Sequence, residues 1–114
     1  MGKPSRDKGA RGERRAADFF KRLGLFARRV SSLETNQASG IDYDVQVDSR
    51  AHYPDPWKVQ VKEVAKNCPA LPTLMENANI GFVHYTNGDT LLIIRADDLE
   101  PLIDLLVGPM GYVL

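Results

Sequence analysis

The chain has 114 residues, 43% hydrophobic and 26% charged, with one cysteine and two histidines. That is enough chain for one hydrophobic core and too little for two; it leaves Cys68 without an internal disulfide partner and excludes a Cys/His zinc cluster. No apolar run approaches the roughly 18 residues that span a membrane, and the basic N-terminus lacks the apolar core of a signal peptide, so a cytoplasmic, reduced protein with no membrane partner is expected.

The formal net charge of zero conceals an asymmetry. Residues 1–30 hold ten Lys and Arg against three acids, whereas residues 31–114 hold five against twelve. A basic segment joined to an acidic remainder suits a surface that holds phosphates beside a site that needs carboxylates. The alternative is a solvated basic helix without a partner.

In chain order, residues 1–8 are polar and basic with Gly and Pro, and read as a flexible arm, leaving 9–114 as a single domain. Ala16, Ala17, Phe20 and Leu23 recur at helical spacing, which predicts a first helix from Ala10 to about Leu23, stopped by Gly24. Arg11, Arg14, Arg15, Lys21 and Arg22 fall mostly off that stripe. Glu13 shares it, so an acid faces inward; an ion pair or a first-turn charge that suits the helix dipole would also account for it.

Phe26 to Val30 predicts a short strand, and Ser31 to Gly40 a polar loop. Tyr43, Val45 and Val47 alternate with Asp44 and Gln46, and Val59 and Val61 alternate with Gln60 and Lys62, which predicts two adjacent strands joined by a long hairpin loop from Asp48 to Pro56. A short helix is expected from Pro72 to about Asn79. Ile80 to Tyr85 and Thr90 to Arg95 then flank Asn87-Gly88, a type I′ turn signal. A last helix, capped by Asp97 or Asp98, runs to Leu106. This order gives an α/β sandwich around a central mixed sheet. The apolar tail from Met110 to Leu114, with Phe82 or Leu92 on a sheet face, belongs either to the core or to a subunit interface.

Three polar features line up on this frame. Glu13 lies on the inner face of the first helix, Asp42 and Asp44 project to one side of an extended segment, and Gln60 and Lys62 do the same on the neighbouring strand. Clustered acidic oxygens are the hard ligands that Mg²⁺ takes, and a nearby lysine can orient water or stabilise charge in the transition state of phosphodiester hydrolysis. Singly, each residue also has a structural reading: Asp after Gly is a turn former, and Lys on a strand commonly lies on the wet face.

The runs Lys8-Gly9-Ala10-Arg11-Gly12-Glu13-Arg14-Arg15, Gly40-Ile41-Asp42-Tyr43-Asp44-Val45 and Val59-Gln60-Val61-Lys62 resemble the motif series of PD-(D/E)XK nucleases. Within these they are most similar to the archaeal-type and phage-encoded Holliday junction resolvases, over residues 6 to about 104. The resemblance implies a restriction-endonuclease-like central mixed β-sheet flanked by helices. It also implies a Mg²⁺-dependent endodeoxyribonuclease of DNA recombination and repair, with Mn²⁺ as a substitute, in a prokaryotic cell or a phage-infected host. Such an enzyme places paired nicks in four-way junctions and acts as a homodimer, because symmetrical cutting needs two sites about a twofold axis.

Carried over by position, Glu13 matches the helix glutamate that helps hold metal, Asp44 or Asp42 the strand aspartate, and Lys62 the catalytic lysine. The resemblance favours Asp44 as the main ligand, because its distance to the second strand is closer to the family's usual span, with Asp42 assisting. A backbone carbonyl of Val61 would complete the metal set. Lys3, Arg6, Lys8, Arg11, Arg14 and Arg15 would follow the DNA backbone, and Ser31 and Ser32 would present hydroxyls to it. The chain departs from the pattern at Gln60, where the family has an acid two residues before the lysine. An amide oxygen can ligate a metal but brings no charge. Glu63 points to the opposite face as an adjacent residue, whereas Glu76 could reach in from the next helix. The departure leaves open a DNA-binding protein with weakened or lost catalysis. Another PD-(D/E)XK nuclease, acting on duplex or flapped DNA, and an α/β protein without a nucleic-acid partner are further readings.

Overall fold

The apolar repeat near the N-terminus folds as α1, Lys3–Arg22, in a computed structural model that describes residues 3–30, 43–48, 56–68 and 70–107, with side chains described between Gly9 and Leu106. The helix starts well before Ala10, at Lys3, so its first turns take in residues that composition read as an arm. Pro4 is tolerated there because the first N–H groups of a helix have no internal acceptor. The C-terminus closes as expected at Gly24, whose φ of 87° suits a residue without Cβ. Leu25 N–H reaches back to Phe20 O at 3.2 Å and Gly24 N–H to Lys21 O at 2.9 Å.

Five strands follow: β1, Ala27–Arg29; β2, Val45–Val47; β3, Trp57–Val64; β4, Ile80–Tyr85; and β5, Thr90–Ile94, with the one-turn helix α2, Leu71–Leu74, between β3 and β4. A 3₁₀ turn, Ala96–Asp98, leads into α3, Leu99–Val107. The sheet order is β1-β2-β3-β4-β5. All neighbours are antiparallel except β3 and β4, which are parallel. The result is the mixed α/β fold that the alternating and helical repeats predicted, with β3 in the centre.

Period-two burial divides β3 between two layers. Trp57, Val59 and Val61 join Ala16, Ala17 and Phe20 of α1, Leu102 and Leu105 of α3, and Ile80 and Phe82 of β4 in one core. Val64 and Val83 pack with Leu74 of α2 on the other face. Phe19, Phe20 and Phe82 form an aromatic cluster with centroid separations of 5.2, 5.7 and 6.4 Å. Each fully buried side chain of this kind contributes about 1.5–3 kcal/mol. Phe82, at 1% exposure, belongs to this core and is not an interface residue.

Two local expectations change. No described non-glycine residue has a positive φ and Gly88 does not have one either, which excludes the type I′ turn. Thr86 N–H donates to Val64 O at 2.9 Å, so β4 stays bonded to β3 one residue further, and Tyr85 pairs with Asp89 across a longer connection. Tyr43 also leaves the face of Val45 and Val47. Its hydroxyl bonds Gln46 at 3.1 Å and its ring lies under Lys58, the cross-strand partner of Gln46.

Candidate active site

Tyr43 changes face because the chain bends at Asp44, immediately before β2 begins. There β2 separates from the longer β3, and Asp44 bridges the fork. Its N–H donates to Val59 O at 3.0 Å and its O accepts from Val30 N–H at 2.9 Å. Its carboxylate oxygen Oδ2 accepts from Val61 N–H at 2.9 Å, where a continuing ladder would supply a backbone carbonyl. The same oxygen accepts from Gln60 Nε2 at 2.8 Å. Asp44 is therefore fixed by backbone bonds to two segments and by its own side chain, as a positioned ligand or catalytic group must be.

The fork opens into a cleft of about 320 Å³ lined by Gly9, Glu13, Asp44, Gln60, Val61, Lys62 and Glu63. Gly9 and Glu13 are one helical turn apart on α1, and Gly12, between them, brings the helix close to the sheet. A Cβ at Gly12 would lie 3.1 Å from Glu63 Cγ and 3.4 Å from Val61 Cγ1. Four of the predicted residues, Glu13, Asp44, Gln60 and Lys62, thus share one cleft with Val61. Asp42, Ser31 and Ser32 lie outside the described residues.

Burial raises the Glu13 pKa first, and the negative charge of Asp44 raises it further; hydrogen bonding and charge from Arg29, with the charge of Arg14, oppose the rise. Arg29 at the end of β1 holds Glu13 Oε1 through Nε at 3.2 Å and Nη2 at 3.1 Å. Glu13 thus has the ion pair that is one account of an inward acid, and its partner is Arg29, which sequence alone does not single out. The register supplied a signal, since Arg29 stands opposite Val45, one residue from Asp44. Arg15, expected along a DNA backbone, pairs with Glu63 across the helix–sheet interface and keeps 40% of its side chain exposed. Arg11 and Arg14 are solvent-exposed on α1, while the side chains of Lys3, Arg6 and Lys8 lie outside the description. Glu76 does not reach this cleft and lines a different one with Lys58 and Arg95.

The donor chemistry suits a hard cation. Glu13 and Asp44 bring carboxylates close enough for one charge to raise the other's pKa, and Gln60 and Val61 add neutral oxygens. Among the described residues no group of three His, Cys, Asp or Glu side chains is placed to hold a metal ion. One or two carboxylates with retained water are an ordinary set for Mg²⁺. No described helix is long and apolar enough to cross a membrane. No family model, curated protein or solved structure matches the chain.

Proposed function

We propose that the chain is a Mg²⁺-dependent endodeoxyribonuclease of the PD-(D/E)XK type, acting on four-way DNA junctions as a homodimer. The observation that carries the reading is the convergence of Glu13, Asp44, Gln60 and Lys62, from α1, the start of β2 and β3, on one open cleft. Glu13, Asp44, the Val61 carbonyl and Gln60 Oε1 would hold the metal, which when bound supplies charge neutralisation and an activated water. Gln60 would do so only after its amide turns, because Nε2 now faces Asp44.

The protein's own groups have distinct tasks. Lys62 is exposed on β3 and presents an ammonium to the phosphate oxygens, offsetting charge that builds in the transition state. The Val61 N–H holds Asp44 in place. Arg11 and Arg14 lie on the exposed side of α1, suited to phosphate contacts that give affinity without reading sequence. A second reading, DNA binding without cleavage, is favoured by the Gln60–Asp44 hydrogen bond, which occupies the strand aspartate with an amide.

A labelled four-way junction and a matched duplex, with and without Mg²⁺, separate these readings. Wild type is expected to place paired nicks in the junction, and Lys62→Ala to lose them while still binding. Gln60→Glu would set two carboxylates together, and is expected to be less stable by about 1–3 kcal/mol in chelator and to recover with Mg²⁺. Binding without cleavage in wild type, with cleavage gained in Gln60→Glu, would establish the second reading. Absence of DNA binding would overturn both.

A further inference from the structure

A second cleft, of about 300 Å³, opens on the sheet face that carries Gln60 and Lys62. Tyr43, Lys58, Glu76, Asn77, Asn79 and Arg95 line it. It adjoins the candidate active site along the chain on two sides: Tyr43 precedes Asp44, and Lys58 is two residues before Gln60 on β3. Side chains two apart on a strand share a face at about 6.6–6.8 Å along its axis. Lys58, Gln60 and Lys62 therefore form a row on the face opposite Val59 and Val61. Lys58 and Lys62, at the two ends of that row, stand about 13–14 Å apart along the strand, a span suited to phosphates two nucleotides apart on one strand.

The chemistry of the cleft is that of an anion site. Lys58 Nζ stands 5.9 Å from the centroid of the Tyr43 ring. Arg95 donates to Met75 O at 2.5 Å and Ala78 O at 2.7 Å, which fixes its guanidinium in the wall without neutralising it. Neither cation forms an ion pair with another described residue, although Glu76 lines the same cleft. Two cations and one acid leave a net charge of about +1 there at neutral pH. Asn79 Oδ1 accepts from Lys58 N–H at 2.9 Å, and Asn79 N–H donates to Lys58 O at 2.8 Å. The amide oxygen is thus engaged, and no acceptor for Nδ2 is found among the described residues.

We propose that this cleft is a phosphate subsite, in which Lys58, with Arg95 and Asn79, holds a backbone phosphate of the DNA strand whose scissile phosphate lies at Lys62. The inference rests on the nuclease reading and adds the path of the strand along β3. The contact is to phosphate, so it gives affinity and register without base preference.

The test measures junction binding by fluorescence anisotropy in chelator, over a salt series, for wild type, Lys58→Gln, Lys58→Arg and an exposed lysine that lines neither cleft, Lys66→Gln; thermal melting verifies the fold of each. Lys58→Gln is expected to weaken binding roughly fivefold and to reduce the slope of log affinity against log salt by about one. Lys58→Arg should keep wild-type affinity, and Lys66→Gln should change it less than about twofold. In single-turnover cleavage, Lys58→Gln should need more DNA to reach the wild-type rate. Wild-type binding and salt slope in Lys58→Gln would overturn the subsite and leave the nuclease reading standing. Absence of binding by the wild-type protein would overturn both.

Discussion

Glu13 carries a cost at neutral pH that its neighbours only partly offset. Burial and the Asp44 charge raise its pKa, so the folded protein holds this proton more tightly than the unfolded chain does. Its contribution to stability is present at low pH and is lost as pH rises from the ordinary glutamate pKa through the raised value. Arg29 opposes the shift, but its side chain is 39% exposed and water weakens the pair. We expect Glu13→Gln to match wild type near pH 4 and to be the more stable protein near pH 7 in metal-free buffer, as read by urea denaturation at both pH values. Parallel stability curves would show that the acid is not under this strain. Such a cost at one carboxylate is what a site accepts when a cation or substrate is to relieve it.

At the scale of elements, the distance between α1 and β3 is set by Gly12. Glycine inside a helix costs about 1 kcal/mol against alanine, yet a Cβ here would press on Glu63, which Arg15 holds. Gly12→Ala should therefore gain little alone, because the helix-propensity gain is spent displacing Glu63. In a Glu63→Ala background the same substitution should stabilise the fold by up to about 1 kcal/mol, giving a non-additive cycle in urea denaturation. Equal effects in both backgrounds would mean that the helix can move away freely. The Gly9-x-x-Gly12-Glu13 spacing was visible in the sequence, but a close helix approach can be read from it only when the facing strand is known.

For the whole molecule, the proposed homodimer needs a surface, and the candidate is the end of the sheet at β5. Among the described residues β5 is an edge strand whose Leu91 and Leu92 are exposed at 47% and 39%, without the lysine or proline that commonly protects such an edge. Leu99, Ile103 and Leu106 add an exposed stripe on α3 at helical spacing. A second copy laid against β5 would cover this apolar surface. Leu92→Lys is expected to sediment as a monomer where wild type sediments as a dimer, and to lose the pairing of nicks on a junction before it loses nicking. A wild-type protein that sediments as a monomer at assay concentrations would remove the homodimer from the proposal.

The sequence by itself determined the element types and both faces of β3, because hydrophobic period is a local property that burial enforces one residue at a time. Ala16, Ala17 and Phe20 named the buried face of α1, and Val59 and Val61 that of β3. It also brought Glu13, Asp44, Gln60 and Lys62 into one set, through spacing and resemblance. What only the tertiary structure decided is how those groups are held. Asp44 acts as a substitute ladder acceptor at a strand fork, Arg29 meets Glu13 from a strand 16 residues further along, and Arg15 pairs with Glu63. Each of these depends on strand order, register and helix height over the sheet. Those are set by packing between distant segments, and no local pattern encodes them.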